Sequence, residues 1–297
     1  SEMCIRDRYF DKIRASIRFK HFKKTYDENI LDIKGGLNDV VMNNSPIDID
    51  KLIEGTNEIL TANRNSLQLF DMLHSMRQFD DLTYVHSVNV ALIASILGQW
   101  LKFSEKDIRI LTISGLLHDI GKIMIPNEIL TKPGKLTVAE YNIMKQHVNF
   151  GYEKVKNQNI DIRIKEACLL HHEKCDGTGY PFGLKSDHIP AVAKIIAIAD
   201  VYDAMTSARV YRGALCPFEV IDTMYKDAFT KFEPEYILPF LKNVASSYIN
   251  NDVRLSDGRI GKVVLINENA LSLPIVQCED EFIDLSKTRG LTVSAIL

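Results

Sequence analysis

From residue 82 to residue 241, apolar side chains recur three and four positions apart through several successive segments, and almost no alternating apolar–polar pattern interrupts them. That period admits helices and little else, so the central part of the chain is expected to be nearly all α, each helix burying one face against its neighbours. With 297 residues the chain exceeds the length at which a single core usually stops growing, so one main domain with smaller flanking pieces is expected.

The apolar faces of these helices carry polar residues that need an explanation. His86 lies in line with Val90, Ile93 and Leu97 on a helix that is apolar nearly all round, so its imidazole should point inward and must find a partner there. His118 and Asp119 end the apolar run 111–117, in a helix whose start is marked by Ser104 with Asp107 three residues on. His147 follows a second such start, Thr137 with Glu140, and by helical spacing shares a face with Ile143, Met144 and Phe150. His171 and His172 close the pattern Ile164, Ala167, Cys168 just before the turn residues Asp176 to Pro181. Adjacent histidines diverge on a helix, so the two reach one centre only near the helix end, or by sharing two ions. Asp200 has Ala193, Ile196, Ala197 and Ala204 around it, where a carboxylate is costly unless cations pair with it. Any single inward histidine is more often a hydrogen-bonded core residue than a ligand. Five of them with two aspartates, on separate helices, would each need a private partner, and a shared metal explains them together.

The flanks differ in character. Residues 1–9 read as a fragment edge, and residues 10–24 as a basic amphipathic helix with Phe10, Ile13 and Ile17 on its apolar side, a solvated face or the remnant of a linker to an upstream sensor domain. Asn43 to Pro46 forms a break, and residues 48–76 hold one long helix or two short ones with Leu52, Ile59, Leu60, Leu67, Phe70 and Leu73 as the apolar set. After Ser247 come short β-prone runs at 253–255, 260–266, 274–276 and 282–285, with Asp257-Gly258 as a hairpin signal. The expected units are therefore an N-terminal segment 1–46, a helical domain 47–247 and a small β-rich extension 248–297.

Composition excludes some partners. A net charge of −3 provides no global reason to bind DNA or another polyanion, so any phosphate recognition must be local. The five cysteines include no CxxC pair and are odd in number, which fits a reducing cytoplasm. Charge interrupts every apolar run well before the roughly 18 residues of a transmembrane segment, and no leader pattern opens the chain. His21, His74 and His188 read as surface or packing residues, and Cys168 as a small buried hydrophobe.

Taken in order, Thr83-Tyr84-Val85-His86-Ser87, Leu117-His118-Asp119-Ile120-Gly121-Lys122, His147, His171-His172-Glu173-Lys174-Cys175-Asp176-Gly177-Thr178-Gly179-Tyr180-Pro181 and Ala199-Asp200-Val201-Tyr202-Asp203-Ala204-Met205-Thr206-Ser207 resemble the HD-GYP phosphodiesterases, a branch of the HD phosphohydrolase superfamily. The likeness covers about residues 80–240 and implies an all-helical HD-type bundle. It implies that His86, His118, Asp119, His147, His171, His172 and Asp200 bind metal, with Asp119 bridging two ions and His118 a ligand rather than a general base. Some members hold a third ion with a glutamate four residues before the first histidine; Leu82 stands there, so two divalent ions are expected. Imidazole and carboxylate donors without thiolate suit iron or manganese.

The resemblance further implies hydrolysis of cyclic di-GMP to linear pGpG, with further cleavage to GMP left open, by attack of a metal-bridging hydroxide on a phosphodiester. Asp119 and Lys122 would be catalytic, Lys122 steadying the phosphate where charge develops. Lys122, Tyr180, Arg209 and Arg212 would contact substrate, while Asp203 reads as a helix-surface acid. Ala208 and Val210 depart from the usual aspartate and proline beside them, which bears on fine specificity. Another cyclic dinucleotide such as cyclic GMP-AMP, oxygen chemistry at a diiron pair, or a non-catalytic nucleotide-sensing module are the alternatives, and homodimerisation is left open.

Overall fold

The structure, a computed structural model, describes residues 13–63, 69–70, 72–73, 76, 82–207 and 215–297. Helices α1 (Ile17–Asn43) and α2 (Ile49–Ala62) lead into α3 (Leu82–Trp100) and α4 (Glu105–Leu117), followed by a 3-10 turn (Ile120–Met124). Next come the short α5 (Asn127–Leu130) and α6 (Val138–Met144), then α7 (His147–Val155), α8 (Ile162–Leu170), α9 (Ala191–Thr206), α10 (Pro217–Asp227) and α11 (Pro234–Ser246). Five strands close the chain: β1 (Asp252–Leu255), β2 (Ile260–Leu265), β3 (Ile275–Cys278), β4 (Glu281–Asp284) and β5 (Val293–Ile296).

The expected helical body is present, and α3 is its axis. Val88, Val90, Ala91, Leu92, Ile93, Ala94, Ile96 and Leu97 are all buried, because α4, α9 and α11 pack around α3 and α1 and α2 lie against it as well. Close approach depends on small residues. A Cβ on Gly115 of α4 would lie 2.4 Å from the Ala91 Cα of α3, and one on Gly121 of the 3-10 turn would lie 1.9 Å from the His147 carbonyl oxygen of α7. Both contacts are with backbone, which cannot rotate away.

Helix starts follow the residues that mark them. The Ser104 hydroxyl accepts from the Asp107 amide (3.2 Å), and Thr137 and Glu140 form a reciprocal capping box. The expected continuity from Thr137 through His147 is corrected, however: α6 ends at Met144, α7 begins at His147, and Ile143 is exposed rather than sharing an inward face.

At the N-terminus the basic helix is also redrawn. Ser16 caps α1 through the Phe19 amide (3.1 Å), and the buried stripe is Phe19, Phe22, Tyr26, Ile30, Ile33, Leu37 and Val40, while Ile17 is 86% exposed. Phe10 lies outside the described residues. At about 1.5–3 kcal/mol for each large apolar side chain buried, packing rather than local propensity holds α1 in place. The helix shares one continuous apolar core with the bundle and the sheet.

The sheet is antiparallel throughout, in the order β4-β3-β2-β1-β5, with Asp257-Gly258 turning β1 into β2 and Gly258 at a φ of 92°. Strand β5 had no forecast; it pairs with β1 across a register shift at Arg254/Leu255. Among the described residues no helix is long and apolar enough to cross a membrane. We propose 47–247 as the helical unit and 248–297 as its β extension on this architecture, with α1 of the 1–46 segment docked on the former.

Two glycines test the packing. Gly121→Ala forces the 3-10 turn away from α7 and is expected to lower the unfolding free energy by about 3 kcal/mol, the upper end for overpacking. Gly35→Ala, on the exposed side of α1 with nothing within 4 Å of the added carbon, is expected to raise it by about 0.5–1 kcal/mol. Urea unfolding of the two variants beside the wild type reads both.

Candidate metal centre

The inward histidines and aspartates meet at one place, and each is delivered by a helix end or an adjacent turn. His118 caps the C-terminus of α4, Asp119 follows it at φ −103°, His147 opens α7, and His171 caps α8, whose helix stops at Leu170. That stop is what lets the adjacent His171 and His172 face one centre, their ring centroids 4.2 Å apart. His86 comes from the first turns of α3, and Asp200 from the buried face of α9.

Three imidazoles are oriented the same way. Nδ1 of His118 donates to the Gly115 carbonyl (2.8 Å), that of His147 to Met144 (2.7 Å) and that of His171 to Ala167 (3.0 Å). With Nδ1 carrying the proton, each Nε2 presents its lone pair to the Asp119 carboxylate. Asp119 Oδ1 lies 3.3 Å from His147 Nε2 and 3.8 Å from His171 Nε2; Oδ2 lies 3.2 Å from His118 Nε2 and 3.6 Å from His86 Nε2. The carboxylate thus faces one set of imidazoles with each oxygen.

Those contacts leave atoms unsatisfied. His118 Nε2 and Asp119 Oδ1 are buried without a hydrogen-bond partner, the 3.2 Å approach of His118 to Asp119 lacking hydrogen-bond alignment. Unpaired acceptors are costly inside a protein unless something positive completes them. Two overlapping donor sets are poised to do so: Asp119, His147, His171 and His172 in one, His86, His118 and Asp119 in the other, with Asp119 common to both. Asp200 falls in neither set but touches both, its Oδ1 2.9 Å from His86 Nε2 and its Oδ2 3.7 Å from His172 Nδ1.

The electrostatics favour ligation. Burial lowers the pKa of His147, His171 and His172, the last to about 3, so these imidazoles stay neutral with lone pairs free. Burial works the other way on Asp119 and Asp200, yet His118 and Lys122 beside Asp119, and the His86 hydrogen bond to Asp200, hold both carboxyls well below the ordinary range. His86 resists its own burial because Asp200 and Asp203 accept from its two nitrogens, and its pKa rises to about 9. An ion at His86 Nε2 would have to displace that proton. Burial pushes the Cys168 thiol up to about 12, and Sγ points at the Leu117 carbonyl (3.3 Å), so the donors are imidazole and carboxylate only. The residues present fit a divalent transition metal.

Around the centre, Lys122 is in contact with Asp119 Oδ2 through its ammonium, one turn on in the 3-10 segment. Tyr180 stacks on His172 with centroids 4.7 Å apart and stands edge-on to His147. Arg209 and Arg212, with Ala208 and Val210, lie outside the described residues. His188 is exposed, His21 is on the exposed side of α1, and His74 lies outside the described residues.

Three features of the site had no forecast or a wrong one. Asp203 is corrected: it is 5% exposed, not a surface acid, and accepts from His86 Nδ1 (2.7 Å). Its three-residue spacing from Asp200 on α9 was the available signal. Glu173, buried beside the paired histidines, accepts from the backbone amides of Phe182 (2.6 Å), Gly183 (3.1 Å) and Leu184 (2.9 Å), tying down the loop that carries Tyr180. A Cβ on Gly179 would come within 2.4 Å of the Lys174 amide, so that loop can lie flat on the histidine pair only with glycine there. Lys145, finally, sits between Tyr141 and Tyr180, 5.3 and 5.9 Å from their ring centroids, a cationic rim that periodicity does not reveal.

The HD domain family model matches residues 54–236. The cyclic di-GMP phosphodiesterase PA4108 of Pseudomonas aeruginosa is 36% identical over 203 residues, covering 68% of this chain and 49% of that protein. The cyclic di-GMP phosphodiesterase response regulator RpfG of Xanthomonas campestris pv. campestris is 36% identical over 197 residues, 66% of this chain and 52% of its own length. The 3'3'-cGAMP-specific phosphodiesterase 2 of Vibrio cholerae is 30% identical over 216 residues, 71% of this chain and 40% of its length. This chain therefore spans about half the length, or less, of these curated relatives. In fold it is similar to the HDG"Y"P protein Bd1817 of Bdellovibrio bacteriovorus, with a TM-score of 0.56 at 17% identity over 78% of this chain and 74% of that one. The chain belongs to the HD domain family and carries the HD-GYP pattern within it.

Proposed function

We propose that the chain hydrolyses a phosphodiester of a cyclic dinucleotide, with cyclic di-GMP the favoured substrate, pGpG the product and further cleavage to GMP left open. The observation that carries this is the position of Asp119, whose two carboxylate oxygens face two separate sets of imidazole Nε2 atoms. Names of the relatives support the substrate class: two are cyclic di-GMP phosphodiesterases, and a third is specific for 3'3'-cGAMP, which makes that dinucleotide the alternative.

His86, His118, His147, His171, His172, Asp119 and Asp200 would hold two divalent ions, iron or manganese, with Asp119 shared between them; Leu82, in place of a further carboxylate, favours two ions over three. When bound, such a pair supplies Lewis acidity and a lowered pKa for the attacking water. The chain's own residues do the rest. The backbone bonds from Gly115, Met144 and Ala167 keep three Nε2 lone pairs aimed inward before any ligand arrives, so little reorganisation is needed at the moment of reaction.

Lys122, in contact with Asp119 at the edge of the centre, would meet the phosphoryl oxygens as their charge grows. Tyr180, held by the Glu173-anchored loop, would orient the substrate over His172, and Arg209 and Arg212 would grip a phosphate or guanine edge with paired hydrogen bonds.

Two measurements test this reading. Protein purified without oxygen should contain two ions per chain and convert cyclic di-GMP to pGpG under nitrogen, whereas Asp119→Ala should lose both ions and at least about 10²–10³-fold in rate, the cost of removing one preorganised charge-stabilising group. Wild type that carries two ions and leaves both cyclic di-GMP and 3'3'-cGAMP intact rejects the substrate class. Independently, adding Mn2+ to metal-free wild type at about one hundred times its dissociation constant should raise the unfolding free energy by about 2.7 kcal/mol per site, and Asp119→Ala should show no such gain in denaturant melts.

A further inference from the structure

The centre is connected to a part of the chain outside the HD domain match. His86 Nδ1 donates to Asp203 Oδ2 (2.7 Å), Asn89 Nδ2 donates to Asp203 Oδ1 (2.9 Å), and the Tyr26 hydroxyl donates to Asn89 Oδ1. His86 and Asn89 lie one turn apart on α3, Asp203 lies on α9, and Tyr26 lies on α1, before residue 54 where the family match begins. All four are enclosed: Tyr26 is fully buried, Asn89 and Asp203 are under 8% exposed, and the His86 side chain is 14% exposed.

The direction of each hydrogen bond is dictated by the next. A carboxylate only accepts, so Asp203 requires a proton on His86 Nδ1 and requires Asn89 to present its NH2 group. The Asn89 carbonyl is thereby turned towards α1, and only a donor can meet it; the Tyr26 hydroxyl is that donor. Remove the hydroxyl, and the Asn89 carbonyl is left buried without that donor; the amide cannot flip, since Oδ1 would then meet Asp203 Oδ1, so the side chain is relieved only by moving as a whole, which draws its NH2 group away from Asp203. Asp203 would then lose a donor and its hold on His86. Ser207 Oγ, 3.2 Å from Asp203 Oδ1, is a second donor to that oxygen among the described residues.

We propose that Tyr26 is a positioning residue for the metal centre: through Asn89 and Asp203 it fixes the tautomer and aim of His86, and so makes α1 a control element for the ion held by His86, His118 and Asp119. The inference rests on the metal reading of the site. Its consequence is that a displacement of α1 reaches one of the two donor sets and spares the other, since His147 and His171 are oriented by their own local bonds and His172 is stacked on Tyr180.

Titration of the metal-free full chain with Mn2+ by calorimetry tests it. Wild type should bind two ions. Asp203→Asn should weaken one of them about 10–100-fold, as loss of an outer partner of a metal histidine does, and Tyr26→Phe should weaken the same ion about 3–10-fold, being two links further out. Asn89→Leu cuts the chain with Tyr26 in place and should match or exceed Tyr26→Phe, which keeps the test decisive if the latter folds poorly. Tyr84→Phe removes a hydroxyl that bridges α3 to Asn38 of α1 (3.3 Å) without touching the chain, and should leave both affinities unchanged. Two ions in wild type with unchanged affinities in Tyr26→Phe and Asn89→Leu overturn the proposal alone, as does an equal loss in Tyr84→Phe or an equal loss at both ions. Failure of wild type to bind Mn2+ overturns it together with the metal reading.

Discussion

A carboxylate at 1% exposure in the middle of a helical core is the constraint on which the rest of this structure turns. Moving such a charge out of water costs several kcal/mol even after relaxation, and Asp119 has no room to reach solvent. One ammonium, from Lys122, answers part of that cost, whereas the Nε2 atoms of His118, His147 and His171 ranged around the two oxygens present lone pairs and answer none of it by themselves. Hydrogen bonding alone does not complete the answer, because Oδ1 and the Nε2 of His118 are left unmatched. A cation at the centre would complete those atoms. Binding there would therefore couple metal affinity to fold stability.

Placing so many polar groups at one point without breaking helices required the helices to end there. His118, Asp119, His147 and His171 all occupy terminal or interhelical positions, where backbone carbonyls of the last turn still lack partners. The Gly115 carbonyl of one such last turn accepts the Nδ1 proton of His118, and the Ala167 carbonyl, which also accepts the His171 amide, accepts the Nδ1 proton of His171. One feature serves two needs: the helix end gains a donor, and the imidazole acquires a fixed tautomer. Gly121 completes the design by letting α7 approach to backbone contact, which brings His147 against Asp119.

Much of this could be read from the residues and some of it could not, for identifiable reasons. Capping residues act locally, so Ser104 and the Thr137–Glu140 box marked helix starts correctly, and Asp257-Gly258 marked a hairpin. The inward histidines stood out because burial of a polar group on an apolar stripe is itself a local pattern. Periodicity failed where a chain break preserves phase: Ile143, Met144 and His147 keep helical spacing across a turn that separates α6 from α7. It failed again at α1, where two apolar stripes compete and only contact with α2 and α3 selects Phe19, Phe22 and Tyr26 over Ile17. Asp203 and Glu173 were misjudged or passed over because their partners, His86 and the 182–184 amides, come from other segments. Strand β5 is short, and its pairing with β1 is long-range.

Asp200 and Asp203 show how one helix face can separate support from chemistry. Both are buried, three residues apart on α9, and both contact the same imidazole. Asp203 is surrounded by donors, from His86, Asn89 and Ser207, so its lone pairs are occupied and it has little left to offer an ion. Asp200 has histidine nitrogens on both oxygens, from His86 and His172, and those are the nitrogens an ion would claim. Replacing a shared proton at His86 Nε2 by a cation costs Asp200 nothing, since a carboxylate pairs as readily with the cation. The same replacement at Nδ1 would strip Asp203 of a hydrogen bond and leave Asn89 misdirected. The two nitrogens of His86 are therefore inequivalent by construction, and it is the outer network, not the imidazole, that decides which of them would face a metal.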